Sequence, residues 1–101
     1  MAHTVQSKNE VPVRLTAERW AHIVEEHNEL AGLRLDVLET VADPERILAG
    51  GAGEFLALRE HRPGMWIVVV YKEIGSDGFI ITAFVTTKAA STGRRRQLWP
   101  R

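Results

Sequence analysis

Two apolar runs in the second half of the chain set the frame. Residues 66–71 (WIVVVY) and 79–85 (FIITAFV) are unbroken stretches of β-branched and aromatic residues, and the polar segment 73–78 between them carries Gly75, Asp77 and Gly78. Such runs favour strands and such residues favour turns, so the pair predicts an antiparallel hairpin. Residues 54–60 (EFLALRE) form a third strand-length run, joined to the first by His61-Arg62-Pro63-Gly64, where Pro63 and Gly64 suit the central positions of a type II turn. A three-strand meander follows. Alternation sends Met65, Ile67, Val69 and Tyr71 to one side and Trp66, Val68 and Val70 to the other. The middle strand is therefore apolar on both sides and belongs at the sheet centre, with helices covering one face.

The first half supplies those helices. Residues 1–10 are polar and read as a mobile leader, and residues 11–15 (VPVRL) as a short edge strand that tolerates Pro12. Thr16 suits a helix N-cap and Glu18 the first turn. Trp20, Ile23, Val24, His27, Leu30 and Ala31 then recur at helical spacing and define one apolar stripe, with His27 inside it and His22 nearly opposite. Gly32 punctuates the helix, and Leu33, Leu35, Val37, Leu38 and Val41 predict a second one. Asp43-Pro44-Glu45-Arg46 predicts a short further helix, capped by Asp43 and pinned by Ile47 and Leu48. Gly50, Gly51 and Gly53 lead into the meander; they lack the strand-loop-helix context of a phosphate cradle. After Val85 come a loop over 89–93 and a basic tail over 94–101 that docks through Trp99. The expected fold is α+β: one domain over 1–101, with N-terminal helices packed on an antiparallel β-meander and a core over 11–88.

Composition narrows the class. A chain of 101 residues, 45% hydrophobic, fits one core, and no run approaches the roughly 18 apolar residues of a membrane span. With no cysteine there is no disulfide or thiolate chemistry, and the expectation is a cytoplasmic protein without membrane attachment. The formal net charge is zero but unevenly placed. Acidic residues crowd the helical half, whereas Lys88, Arg94, Arg95, Arg96 and Arg101 follow the last acidic residue, Asp77. That asymmetry fits a basic end touching a polyanion, and equally a solvated tail.

Among residues that carry chemistry, His27 stands first. A histidine in an apolar stripe reads either as a core residue satisfied by a backbone hydrogen bond or as a proton carrier at the border of the sheet. Thr82, Phe84 and Thr86 share a strand face; two threonines there reflect β-propensity or present hydroxyls to a phosphate. Arg59, Arg62, Lys72 and Lys88 lie near strand ends, where they either face solvent or clamp a phosphate and stabilise transition-state charge. His22 has acidic neighbours and reads as a surface residue, while His61 falls in a turn. His22 and His27 project away from each other, so neither metal nor other cofactor is expected.

The order Arg19-Trp20-x-His22-Ile23-x-x-x-His27, then Asp43-Pro44-Glu45, residues 66–71 and Gly78-Phe79-Ile80-Ile81-Thr82-Ala83-Phe84-x-Thr86 resembles the phage and mobile-element branch of the barnase, EndoU, colicin and RelE-like nucleases. More distantly it is similar to BrnT-type toxins. The similarity runs over about residues 14–88, and Asn28 stands where many relatives have proline after the histidine. The resemblance implies a metal-independent endoribonuclease, often toxin-like, with RNA as partner and an antitoxin or immunity protein as a second one. It implies the helix histidines, His27 first and His22 as the alternative, as proton carrier, and Thr82 or Thr86 to orient a phosphate oxygen. Members of the group differ in the basic residue; transesterification of RNA needs one to stabilise the charge on phosphorus, and Arg59 or Lys88 fits that part. The competing readings are a non-catalytic RNA- or protein-binding module, favoured by the neutral net charge, and a homodimerising domain that covers an exposed apolar sheet face.

Overall fold

Strand β5 (Met65–Ile74) is the middle strand of the sheet, paired antiparallel with β4 (Phe55–Arg62) on one side and β6 (Asp77–Thr86) on the other. The structure is a computed structural model that describes residues 3–88 and 95–100. Pro63 and Gly64 make the β4–β5 turn, with Gly64 at φ 78°, the left-handed conformation that a type II turn demands at that position. The β5–β6 turn is tighter than the polar segment 73–78 suggests. Only Gly75 and Ser76 leave the ladder, and Gly75 at φ 62° supplies the positive φ of a two-residue hairpin turn.

The meander is only the centre of a larger sheet, and here the expected fold class is overturned. Four short strands flank it: β1 (His3–Gln6), β2 (Pro12–Leu15), β3 (Arg46–Ala49) and β7 (Gln97–Trp99), in the order β1-β2-β6-β5-β4-β3-β7. The sheet is mixed, because β2 runs parallel to β6 through Val13 opposite Gly78 and Arg14 opposite Phe79. Two short helices, α1 (Ala17–Glu26) and α2 (Arg34–Ala42), are inserted between β2 and β3. The expected layer of N-terminal helices on an antiparallel β-meander is thus replaced by a seven-stranded mixed sheet that begins before any helix.

Three local expectations change with it. The expected leader holds β1, antiparallel to β2, and its following loop is tied down as Ser7 Oγ and Asn9 Nδ2 donate to the Glu73 carboxylate. The expected short helix after Pro44 is β3: Asp43 caps the C-terminus of α2, donating its N–H to Glu39 O, and Ile47 and Leu48 then bury on opposite faces of the sheet. The edge strand expected over 11–15 is β2, which has a neighbour on both sides. The loop expected over 89–93, and Arg94 and Arg101 of the expected tail, lie outside the described residues; Trp99 docks as expected, opposite Ile47 on β3 with Lys8 Nζ 4.9 Å from its ring centroid.

The helices cover one face. Ile23 of α1, Leu30 of the intervening 3-10 turn (Asn28–Leu30) and Val37, Leu38 and Val41 of α2 bury against Ala57, Ile67, Val69, Tyr71, Ile80 and Ala83. At roughly 1.5–3 kcal/mol for each fully buried aliphatic side chain, these contacts hold the helical layer on the sheet. On the other face Leu48, Leu56, Leu58 and Val68 form a second buried cluster, with Trp66, Val70 and Phe84 partly buried against it. An irregularity between Val70 and Tyr71 pairs them with Thr82 and Ile80, so Ile81 falls out of alternation and Ile80 takes the buried place. Among the described residues no helix is long and apolar enough to cross a membrane.

Candidate functional site

His27 does not belong to a continuous helical stripe. Thr16 caps α1 by accepting the Arg19 N–H at 3.1 Å, and α1 ends at Glu26. His27 is its C-cap, at φ −133° and ψ 72°, with its N–H donated to Ile23 O at 2.7 Å. Leaving helical geometry at this residue carries the ring to β6, where its centroid stands 6.2 Å from that of Phe84. Its Nδ1 faces the Glu29 carboxylate at 3.7 Å, and 35% of the side chain is exposed. The ring is therefore neither a sealed core histidine nor a fully solvated one. Its exposed part can meet a ligand beside the Glu29 carboxylate.

Phe84 stands between Thr82 and Thr86 on the sheet face away from the helices, opposite Val68, while the threonines oppose Val70 and Trp66. Thr86 Oγ1 accepts the Lys88 N–H at 3.0 Å, which fixes the chain leaving β6. His27, Thr86 and Lys88 thus share one end of the sheet, where β4 and β6 finish and β5 begins.

The other expected residues lie elsewhere. His22 is exposed on α1 with Nε2 3.0 Å from Glu26 Oε1, a surface pair one turn apart. Arg59 is opposite Ile67, hence on the helix-covered side. Its guanidinium donates from Nη1 to Asp43 O at 3.0 Å and to Asp43 Oδ2 at 3.3 Å, and Nη2 lies 3.0 Å from Glu39 Oε1. Those bonds tie β4 to the C-terminal part of α2.

His61 is the residue that the sequence undervalues. It is not a turn residue: β4 continues through Arg62, and the His61 side chain is only 23% exposed, with Nδ1 4.0 Å from Asp36 Oδ1 of α2. Two clefts meet at this ring. One is lined by Asp36, Glu39, Thr40, Arg59 and Glu60; the other, toward the sheet end, by Glu29, Ala31, Leu33, Arg62, Met65 and Val85. The second measures about 240 Å³, several times the roughly 30 Å³ that one water occupies in the liquid. Glu29 is both the partner of His27 and a wall of this cleft, which His61 also lines. The signal available in the sequence was strand length: residues 56–62 (LALREHR) carry no glycine or proline before Pro63, so β4 can run through His61 to Arg62.

Among the described residues no group of three or more His, Asp or Glu side chains is arranged to hold a metal ion. No family model, curated protein or solved structure matches the chain.

Proposed function

We propose that the protein cleaves RNA without a metal ion, by attack of a 2′-hydroxyl on the adjacent phosphate, with His27 as a proton carrier at the sheet end. The observation that carries this reading is the position of the His27 ring: at the C-cap of α1, partly exposed, facing Glu29 and reaching the strand that bears Thr82 and Thr86. A 2′-hydroxyl must lose a proton as it attacks, and an imidazole is a side chain suited to accept one as a general base. Thr86 presents a hydroxyl whose oxygen already accepts the Lys88 N–H, leaving its own proton for a phosphate oxygen. The Lys88 ammonium supplies positive charge for the phosphorane-like transition state, and Thr82 extends the hydroxyl row along β6. Arg59, bound to Glu39 and Asp43, holds the helical layer in register rather than meeting the substrate.

The test is incubation with single-stranded RNA in EDTA, with product ends identified. Fragments carrying 2′,3′-cyclic phosphate or 3′-phosphate support the reading, and intact RNA that is nevertheless bound would replace it with a binding module.

A further inference from the structure

Cleavage of this kind needs two proton transfers, and one histidine accounts for only one of them. The geometry points to His61 as the second proton carrier, acting as general acid, with Arg62 holding the phosphate beside it in the cleft bounded by Glu29; this assignment rests on the ribonuclease reading above.

Three features support it. First, each imidazole turns Nδ1 toward a carboxylate, His27 to Glu29 at 3.7 Å and His61 to Asp36 at 4.0 Å, so in each ring Nε2 is the nitrogen left for a ligand. Second, the cleft that Glu29 shares with His61 and Arg62 is large enough for a phosphate group, and Arg62 is exposed at its mouth. Third, two clefts meet at the His61 ring: Asp36 and Glu39 of α2 line one, Glu29 of the 3-10 turn and Arg62 line the other, and Arg59 is already bound to Glu39 and Asp43, so Arg62 is the cation beside His61 on the Glu29 side.

The step balances. His27 accepts the 2′-hydroxyl proton, the O2′–P bond forms, the P–O5′ bond breaks, and His61 gives its proton to the departing 5′-oxygen. The products are a 2′,3′-cyclic phosphate and a 5′-hydroxyl, with the two histidines left in exchanged protonation states. Arg62 binds the non-bridging oxygens, for which a guanidinium fork is well shaped.

The experiment compares wild type, His61→Asn, His27→Asn and Arg62→Ala on two dinucleotide substrates, one natural and one with sulfur replacing the bridging 5′-oxygen. A thiolate departs without a proton, so it bypasses a general acid but not a general base. His61→Asn is expected to slow the natural substrate roughly 100-fold or more and the sulfur substrate less than about 10-fold, whereas His27→Asn slows both. Arg62 is exposed beside the β4–β5 turn, so Arg62→Ala tests the site without disturbing the core. It should weaken competitive inhibition by inorganic phosphate about 10-fold, the scale of one lost charge-assisted contact, with Arg14→Ala at the far end of the sheet as the equal-charge control. If wild type cleaves and His61→Asn matches it on both substrates, or loses equally on both, the assignment to His61 is overturned while the ribonuclease reading stands. Equal effects of Arg62→Ala and Arg14→Ala overturn the role of Arg62. Wild type that cleaves neither substrate overturns both readings together.

Discussion

The two ends of the β4–β5–β6 meander treat their polar groups differently. At the Gly75-Ser76 end, polar side chains satisfy one another: Glu73 accepts from Ser7 and Asn9, and Arg14 Nη2 donates to Asp77 Oδ2 at 3.0 Å. Backbone also approaches closely there. A Cβ on Gly78 would lie 3.0 Å from Lys72 O and 3.2 Å from Pro12 O, so a larger residue there must press back the backbone of both β5 and β2. At the opposite end, the carboxylates stop 3.7 Å short of His27 and 4.0 Å short of His61, beyond ordinary hydrogen-bond length. One end contributes stability by closing its side-chain contacts. At the other, backbone N–H groups of Glu60, Gly64 and Lys88 are satisfied by side chains, but the two imidazoles face carboxylates without closing a hydrogen bond to them.

Substitutions at the closed end and in the core should therefore move melting temperature, and those at the open end should move cleavage. The largest stability effect is expected for Gly78→Ala, which forces β2 and β5 backbone apart and should cost about 1–3 kcal/mol. For a domain of this size that corresponds to a fall of roughly 4–8 °C in Tm per kcal/mol, read by thermal denaturation. Cleavage per folded molecule well below Tm should be unchanged; a parallel loss of both would break the division between the two ends.

Tyr71 should show a smaller effect of opposite sign. Its side chain is fully buried in the helix-side core, and its hydroxyl has no hydrogen-bond partner among the described residues. Tyr71→Phe removes that unsatisfied group and should raise stability by about 1 kcal/mol. Burial, reinforced by the nearby Glu73 charge, also pushes the phenol well above its ordinary pKa. The folded state then holds the proton that the unfolded chain releases, so stability is fully present below about pH 10 and falls as pH rises above it. As the chain has one tyrosine, its phenolate absorbance should appear together with unfolding in an alkaline titration, and Tyr71→Phe should flatten the Tm–pH curve.

Arg59→Ala comes next. It removes bonds to Glu39 and Asp43, both largely exposed, so the expected loss is no more than about 1 kcal/mol. It should keep a larger share of cleavage activity than His27→Ala, and the reverse ranking would return Arg59 to the site. The smallest effect is expected for His22→Ala. An exposed pair with Glu26 on one helix contributes within roughly 0.5 kcal/mol, and neither Tm nor cleavage should change measurably.

How much of this the sequence disclosed depended on strand length. The runs 66–71 and 79–85 are long and β-branched, and both became central strands with the expected pairing of β4 to β5 and β5 to β6. Of the four-residue strands β2 was expected, as an edge strand, whereas β1 and β3 were harder to see. β1 offers a single apolar residue, Val5, among polar neighbours, and its ladder to β2 is specified by tertiary context rather than by pattern. β3 was hidden by Asp43-Pro44, whose cap chemistry fits a helix start equally well, although Asp43 in fact closes α2. For the site, periodicity found His27 but placed it mid-helix. The break at that residue, which brings it beside Phe84, depends on Leu30 turning into the core through a 3-10 turn. His61 was obscured by the adjacent Pro63-Gly64 turn signal.

The most direct test of the central claim is the rate of single-stranded RNA cleavage in EDTA by wild type and His27→Ala, each measured beside its melting temperature. His27 caps α1 through its backbone N–H, a bond that alanine keeps, so the variant should remain folded with Tm close to wild type. Its cleavage rate should fall roughly 100- to 10,000-fold, the usual contribution of a positioned acid or base. Undiminished cleavage by a folded His27→Ala protein, or none by wild type, would contradict the account.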